Sequence, residues 1–373
     1  MTSARPRHHE EPNRAAPAAV ALPVMPTTDG NGAVPPAAPS AAHGTTLHDS
    51  HGRVIRDLRL SVTDRCNYRC VYCMDPDFRY MPKQSLLQLG EFVTIARSAA
   101  SLGVRKLRLT GGEPTLYPQL NDLIDAIGAL DIDDLAMTTN GSRLHAMPVA
   151  RWRRAGLRRL TLSLDSLRDD RVRAITRAPT SLATVIRAID IAHDAGFAPI
   201  KINAVIVRGV NDDEVADFAD FARDRDVDMR FIEFMPLDSE HAWRNERVVT
   251  AREILRTITA RHGLIPEDDG DPHSTSVNYR FADGARGRIG IIASVSAPFC
   301  GACSRMRITA DGRIRPCLFS HDEWDLRALL RDGADDDAVR RFLIDAMWTK
   351  QAGHGINTDG FAQPARTMSS IGG

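Results

Sequence analysis

The chain has 373 residues, 43% of them hydrophobic and 26% charged, enough for one large α/β domain and a smaller unit. Lys plus Arg and Asp plus Glu number 48 each, so the formal net charge is zero and nothing in it calls for a nucleic-acid or anionic-membrane partner. No apolar run approaches the ~20 residues of a membrane span, the N-terminus lacks the apolar core of a secretory signal, and unpaired cysteines fit a reducing cytoplasm.

Residues 1 to about 50 are rich in Pro and Ala, carry His8 and His9, and show no helical or strand periodicity. They are expected to form a disordered tail. From 51 to 236, runs at 58–62, 107–110, 135–139, 160–164, 200–207 and 229–234 read as strands. Helical patterns lie between them, such as Phe92, Ile95, Ala99 and Leu102 on one face. This alternation predicts parallel strands joined by right-handed crossovers, either a partial (β/α)6 TIM-like barrel or an open doubly wound sheet.

Strand parity favours the barrel. Leu58, Leu60 and Val62 share one face and Arg59 and Ser61 the other. Lys106, Arg108 and Thr110 repeat that polar face, as do Thr161 with Ser163 and Lys201 with Asn203. A central doubly wound strand should be apolar on both faces. A lumen that holds a polar ligand explains the cations; the plainer alternative pairs them with buried carboxylates such as Glu233 or Asp165. From 237 to 373, a helix at 252–261, short strands at 277–281, 288–292, 305–309 and 314–316, and helical segments at 325–330 and 339–348 predict a smaller α+β subdomain.

All six cysteines fall in two triads: Cys66, Cys70 and Cys73, and Cys300, Cys303 and Cys317. Three thiolates can hold a four-iron cluster and leave one iron open. Zinc usually takes four ligands and two-residue Cys spacings. The first triad follows the first strand, at the mouth where barrel active sites gather. Its gap of three residues and then two, with Tyr72 before the last Cys, resembles the cluster signature of the radical S-adenosylmethionine (SAM) superfamily. The resemblance implies a [4Fe-4S] cluster that chelates SAM and releases a 5′-deoxyadenosyl radical. Gly111-Gly112-Glu113-Pro114, after the second strand, resembles the superfamily's SAM-contacting glycine segment, where glycines let backbone approach ligand. Ser163 and Met235 resemble further SAM contacts.

The second triad alone also fits a damaged zinc ribbon or a three-ligand zinc site. Arg305 and Arg307, alternating around Met306 directly after Cys303, place two guanidiniums beside it and suit a phosphorylated ligand. No P-loop is present, so side chains would hold any nucleoside triphosphate. Both triads, the Arg-x-Arg and the terminal Gly372-Gly373 together resemble the GTP 3′,8-cyclase family of molybdenum cofactor biosynthesis, from about residue 57 onward. Two features depart from its usual pattern: the long N-terminal tail, and Cys73-Met74-Asp75-Pro76, where Met-Pro is commoner.

That resemblance implies two [4Fe-4S] clusters and SAM as cofactors, with the second cluster carried by the C-terminal subdomain. It implies a lyase-class reaction that converts GTP to (8S)-3′,8-cyclo-7,8-dihydroguanosine 5′-triphosphate. It implies GTP contacts at Arg59, Lys106, Arg108, Thr139, Lys201, Arg305, Met306 and Arg307, with Arg59, Gly372 and Gly373 serving cyclisation. The expected partners are a small redox protein as electron donor and a downstream enzyme making cyclic pyranopterin monophosphate. A monomer or homodimer is expected. Two other readings stand beside it: a peptide-modifying radical SAM enzyme, and a zinc-based binding module without catalysis.

Overall fold

The structure, a computed structural model, describes residues 34–268 and 270–372. Strands and helices alternate as β1 (Asp57–Ser61), α1 (Leu89–Ser101), β2 (Lys106–Thr110), α2 (Leu120–Gly128), β3 (Asp134–Thr139) and α3 (Val149–Arg154). The series continues with β4 (Leu157–Ser163), α4 (Asp169–Thr176), α5 (Leu182–Asp194), β5 (Lys201–Ile206), α6 (Val215–Arg225) and β6 (Asp228–Glu233). These six strands are parallel and pair in chain order. Sequential order has no reversal point, which removes the doubly wound alternative.

The strands of the C-terminal part extend the same sheet. This part comprises α7 (Ala251–Thr259), β7 (Leu264–Glu267), β8 (Val277–Phe281), β9 (Arg288–Ile292), β10 (Arg305–Ile308), β11 (Arg313–Arg315) and β12 (Trp324–Asp325). Then come α8 (Leu326–Arg331), α9 (Asp336–Trp348) and α10 (Met368–Ile371). β10 adds parallel to β1, and β9 adds parallel to β6. Antiparallel β11 and β12 extend one flank and β8 and β7 the other, giving one 12-stranded sheet. Both edges of the β1–β6 unit are therefore covered.

Alternation along each strand divides inside from outside. Leu58, Leu60, Leu107, Leu109, Leu160, Leu162 and Ile202 are at most 1% exposed and pack against Phe92, Ile95 and Ala99 of α1 and the other helices. The opposite faces of β1 to β6, with β9 and β10, wall a single cavity. A second, smaller core gathers Leu237, Val248, Val295, Phe319, Ile356 and Ile371.

The tail expectation needs correction. Residues 1–33, with His8 and His9, lie outside the described residues, but 34–50 pack on the fold. Leu47 is fully buried and its N–H donates to Leu102 O at 2.9 Å. The Ala38 N–H donates to Asp345 Oδ1 at 2.8 Å. Composition hid this, because the anchoring apolar residues are few and their partners lie far along the chain.

Candidate active site

The cavity, of about 440 Å³, is lined by all six cysteines and by the polar faces of the strands. Cys66, Cys70 and Cys73 lie in the loop after β1, whose backbone is held by Thr176 O and Ile175 O at the end of α4. Burial first, and then neighbouring negative charges, push the Cys66 thiol up to about 11 and Cys70 well above its ordinary value. Cys73 is raised by burial and by the Cys66 charge. Such thiols become good ligands once a cation offsets their charge. The Asp75 departure makes its own turn: Oδ1 accepts from Asp77 N at 2.7 Å and the carbonyl from Phe78 N at 3.1 Å.

The glycine segment has a reason beyond ligand approach. Gly111 has φ +148°, and a Cβ there would stand 2.5 Å from Thr63 O. A Cβ on Gly112 would stand 2.4 Å from Arg65 O. Two bonds close this contact, Gly112 N to Thr63 O at 2.8 Å and Glu113 N to Arg65 O at 2.7 Å. The glycines thus clamp the end of β2 onto the entry of the cysteine loop. The Glu113 carboxylate, 1% exposed, accepts from Thr115 N and Oγ1, Thr139 Oγ1 and Asn140 N. Glu113 and Thr139, expected to touch SAM and nucleotide, both line the cavity, and their side chains also tie the ends of β2 and β3 together. The Tyr72 hydroxyl donates to Asp165 Oδ2 at 2.6 Å, and burial raises the Asp165 carboxyl to about 6. Ser163 and Met235 line the cavity.

Across β10, β1 and β2, register sets Arg307, Arg59 and Arg108 side by side. Like charges directly opposite one another repel. Burial, then Arg108 and Arg305, lower Arg59 to about 9; burial, then Arg159 and Arg230, lower Arg108 to about 9. Burial and then Arg59 and Arg305 hold Arg307 well below its usual value. Arg307 Nη1 is buried with no hydrogen-bond partner among the described residues. Arg108 Nη1 donates to Thr138 and Thr161 hydroxyls, both at 3.1 Å. Arg305 lies over the Phe299 ring at 4.8 Å, and its Nη2 donates to Cys303 Sγ at 3.3 Å. Among the second triad, burial raises Cys300, whereas Cys303, although burial opposes it, is brought down to about 6 by Lys350 and Arg305.

Some expected partners differ. Met306 is fully buried in the outer core, because alternation turns it away from Arg305 and Arg307. Lys106 pairs with Asp271. Glu233 accepts from the backbone N–H groups of Ala251, Val295 and Ser296, and Asp165 from Tyr72 and Val205 N, so neither carboxylate pairs a lumen cation in the hydrogen bonds described. Arg159, paired with Asp134, and Arg230 also line the cavity. Arg159 was legible from parity, two residues before Thr161. Lys350, His273 and His354 line it too and carry no sequence signal.

The C-terminus reaches this cavity. Arg366 binds Asp311 through Nη1 and Nη2 at 3.1 and 2.8 Å, and Glu323 through Nε at 2.9 Å. Met368 N donates to Leu237 O at 3.1 Å, and Met368 lines the cavity. Gly372, at φ +81°, accepts from Thr110 Oγ1 at 3.3 Å, between the ends of β1 and β2. Gly373 lies outside the described residues.

Residues 60–222 match the radical SAM superfamily model and residues 227–356 the Molybdenum Cofactor Synthesis C model. The chain is 43% identical over 330 residues to a GTP 3′,8-cyclase of Streptomyces coelicolor, covering 88% of this chain and 96% of that one. It is 44% identical over 359 residues to the GTP 3′,8-cyclase of Paenarthrobacter nicotinovorans, covering 91% and 100%. Among solved structures, Streptococcus suis SuiB aligns with TM-score 0.57 at 16% identity, covering 82% of this chain and 69% of that one. SuiB bound to S-adenosylmethionine aligns with TM-score 0.56 at 14% identity, covering 86% and 76%. These two share the fold. On sequence, the chain belongs to the GTP 3′,8-cyclase family of radical SAM enzymes.

Proposed function

We propose that this chain converts GTP to (8S)-3′,8-cyclo-7,8-dihydroguanosine 5′-triphosphate, the first step of molybdenum cofactor biosynthesis, as a lyase. The observation that carries the reading is the shared cavity: both cysteine triads open onto it, and a row of cations lines its wall. Each triad offers three free thiols, and their charges act on one another. That donor set fits a [4Fe-4S] cluster with one open iron. Cys66, Cys70 and Cys73 would hold one cluster, with Gly111, Gly112, Ser163 and Met235 around its SAM. Cys300, Cys303 and Cys317 would hold the other, facing the nucleotide. When bound, the first cluster and SAM supply a hydrogen-abstracting organic radical, and the protein supplies position and exclusion of water.

Arg59, Arg108, Lys201, Arg305 and Arg307 take the triphosphate and orient the ribose. Their mutual repulsion is relieved by an anion at the centre of the row. Arg59, Gly372 and Gly373 serve the cyclisation. A small redox protein supplies the electron, and the product passes to the enzyme that forms cyclic pyranopterin monophosphate. The proposed setting is the cytoplasm, as a monomer or homodimer. Among the described residues no helix is long and apolar enough to cross a membrane. Anaerobic incubation of reduced protein with SAM and GTP tests the reading. GTP-dependent 5′-deoxyadenosine and a cyclised nucleotide are expected; neither appearing would overturn it.

Lys201 gives a pH signature. Burial, then Arg230 and Arg159, lower it from 10.5 to about 7. The unfolded chain keeps this proton up to the ordinary value, so between the two pH values it binds more protons than the folded chain. The contribution of Lys201 to the stability of the free protein therefore rises with pH through that window. A triphosphate beside Lys201 restores the charge. GTP binding at about pH 8 should take up close to one proton by this group. Calorimetry in two buffers of different ionisation enthalpy reads it; identical heats would contradict the placement of Lys201.

A further inference from the structure

We propose that Arg53 and Lys350 are positioning residues that hold the three backbone segments carrying Cys300, Cys303 and Cys317 in register. The inference rests on the reading above, that this triad holds the second cluster. The three cysteines sit on short pieces of chain: a three-residue turn, the approach to β10 and the exit of β11. The Cys300–Cys303 turn and the antiparallel β10–β11 pair join those pieces by backbone bonds, and two buried cations from other parts of the chain brace them.

Arg53 comes from the N-terminal segment. Its Nη1 donates to Cys300 O at 2.8 Å and to Ala352 O at 2.9 Å, and its Nη2 to Gln351 O at 2.7 Å. Its Nε donates to Asp49 Oδ2 at 2.5 Å. The Arg53 side chain is 8% exposed and that of Asp49 is fully buried. The turn from Asp49 to Arg53 is built to present this guanidinium. Asp49 Oδ1 accepts from His51 N at 2.9 Å and from Arg53 N at 3.0 Å, and Gly52 takes φ +76° between them. Cys300 O also accepts from Cys303 N at 3.1 Å, so the carbonyl that Arg53 grips is the one that closes the Cys300–Cys303 turn.

Lys350 works from the other side of the same loop. It is 3% exposed, just after α9. Its Nζ donates to Arg305 O at 2.8 Å and to Pro316 O. Arg305 is two residues beyond Cys303, and Pro316 immediately precedes Cys317. The 350–352 segment is therefore a hub: Lys350 reaches toward two of the cysteines, and Arg53 ties the hub to the third. Removing the cation takes a charge-assisted donor from each carbonyl, and Cys300 O keeps only its bond from Cys303 N. The 300–303 turn and the chain before Cys317 would then lose their common orientation, and the second set of irons its ligands. The first triad hangs from β1 and α4 and should not respond.

The test uses the full chain, purified and reconstituted anaerobically. Wild type should carry about eight irons per chain, two four-iron clusters. Arg53→Met should fall to about four, losing the second cluster's paramagnetic signal while keeping SAM cleavage by the first. Arg53→Lys keeps a charge but loses the planar fork and should fall part of the way. Lys350→Met acts on different carbonyls and should show the same selective loss, so it decides the matter if Arg53→Met does not fold. Full iron content and an unchanged second-cluster signal in a folded variant would overturn the proposal. A wild type with only about four irons would instead remove the second-cluster reading itself.

Discussion

Gly372→Val should leave both clusters and SAM cleavage intact while lowering cyclised nucleotide about a hundredfold, a loss near 2.7 kcal/mol in transition-state terms. The position excludes a side chain twice. Its φ of +81° lies in the left-handed region, where a β-branched residue costs about 1–2 kcal/mol or more. A Cβ would also stand 2.7 Å from Ser61 Cβ and 2.8 Å from Thr110 Oγ1. Both neighbours are buried and belong to β1 and β2, the strands that carry Arg59 and Arg108, so they cannot step aside cheaply. The upstream anchors stay: Arg366 remains on Asp311 and Glu323, and Ile371 keeps its place in the smaller core. The valine therefore displaces Gly372 from the ends of β1 and β2 without unfolding the tail. Product chromatography beside iron and 5′-deoxyadenosine assays reads it. Wild-type turnover in the variant would reduce the tail to an ordinary terminus.

What the sequence made legible here was local in one dimension. Alternation in Leu58-Arg59-Leu60 and Lys106-Leu107-Arg108 separates lumen from core because neighbouring side chains on a strand must diverge. The cysteine spacings and Gly-Gly are equally local, and the structure brings these residues to one cavity. Pairing between distant segments was not legible. Nothing in 288–292 or 305–308 says that these strands join opposite flanks of the same sheet, or that Lys106 meets Asp271. Met306 lies within a motif carried over as a block: the side chains of its neighbours face the cavity and its own packs in the outer core. Glu113 shows the reverse, a motif residue whose carboxylate is committed to Thr115, Thr139 and Asn140. Arg53 was invisible because its importance lies in three carbonyls about 250 to 300 residues away, and carbonyls leave no trace in a sequence.

Cys317→Ser separates the two halves of the site. Iron should fall from about eight to about four per chain, SAM cleavage should persist, and GTP should bind on the order of 10- to 100-fold more weakly. Serine is close to isosteric, and the backbone here does not depend on the thiol. Cys317 O accepts from Ser320 N at 3.2 Å, Lys350 holds Pro316 O, and Arg315 is paired with Glu323. The loop therefore stays in place and only the ligand is lost. Arg305 and Arg307 still face the cavity from β10, so some nucleotide affinity should survive through the triphosphate. The lost part is what an open iron contributes at the other end of the nucleotide. Cys66→Ser should do the opposite, abolishing SAM cleavage while GTP affinity changes little. Equilibrium binding of GTP to the two reconstituted variants distinguishes them. If Cys317→Ser bound GTP as tightly as wild type, the cations alone would hold the substrate and the second triad would have some other purpose. A selective loss ties the cationic row and the second triad to the two ends of one ligand.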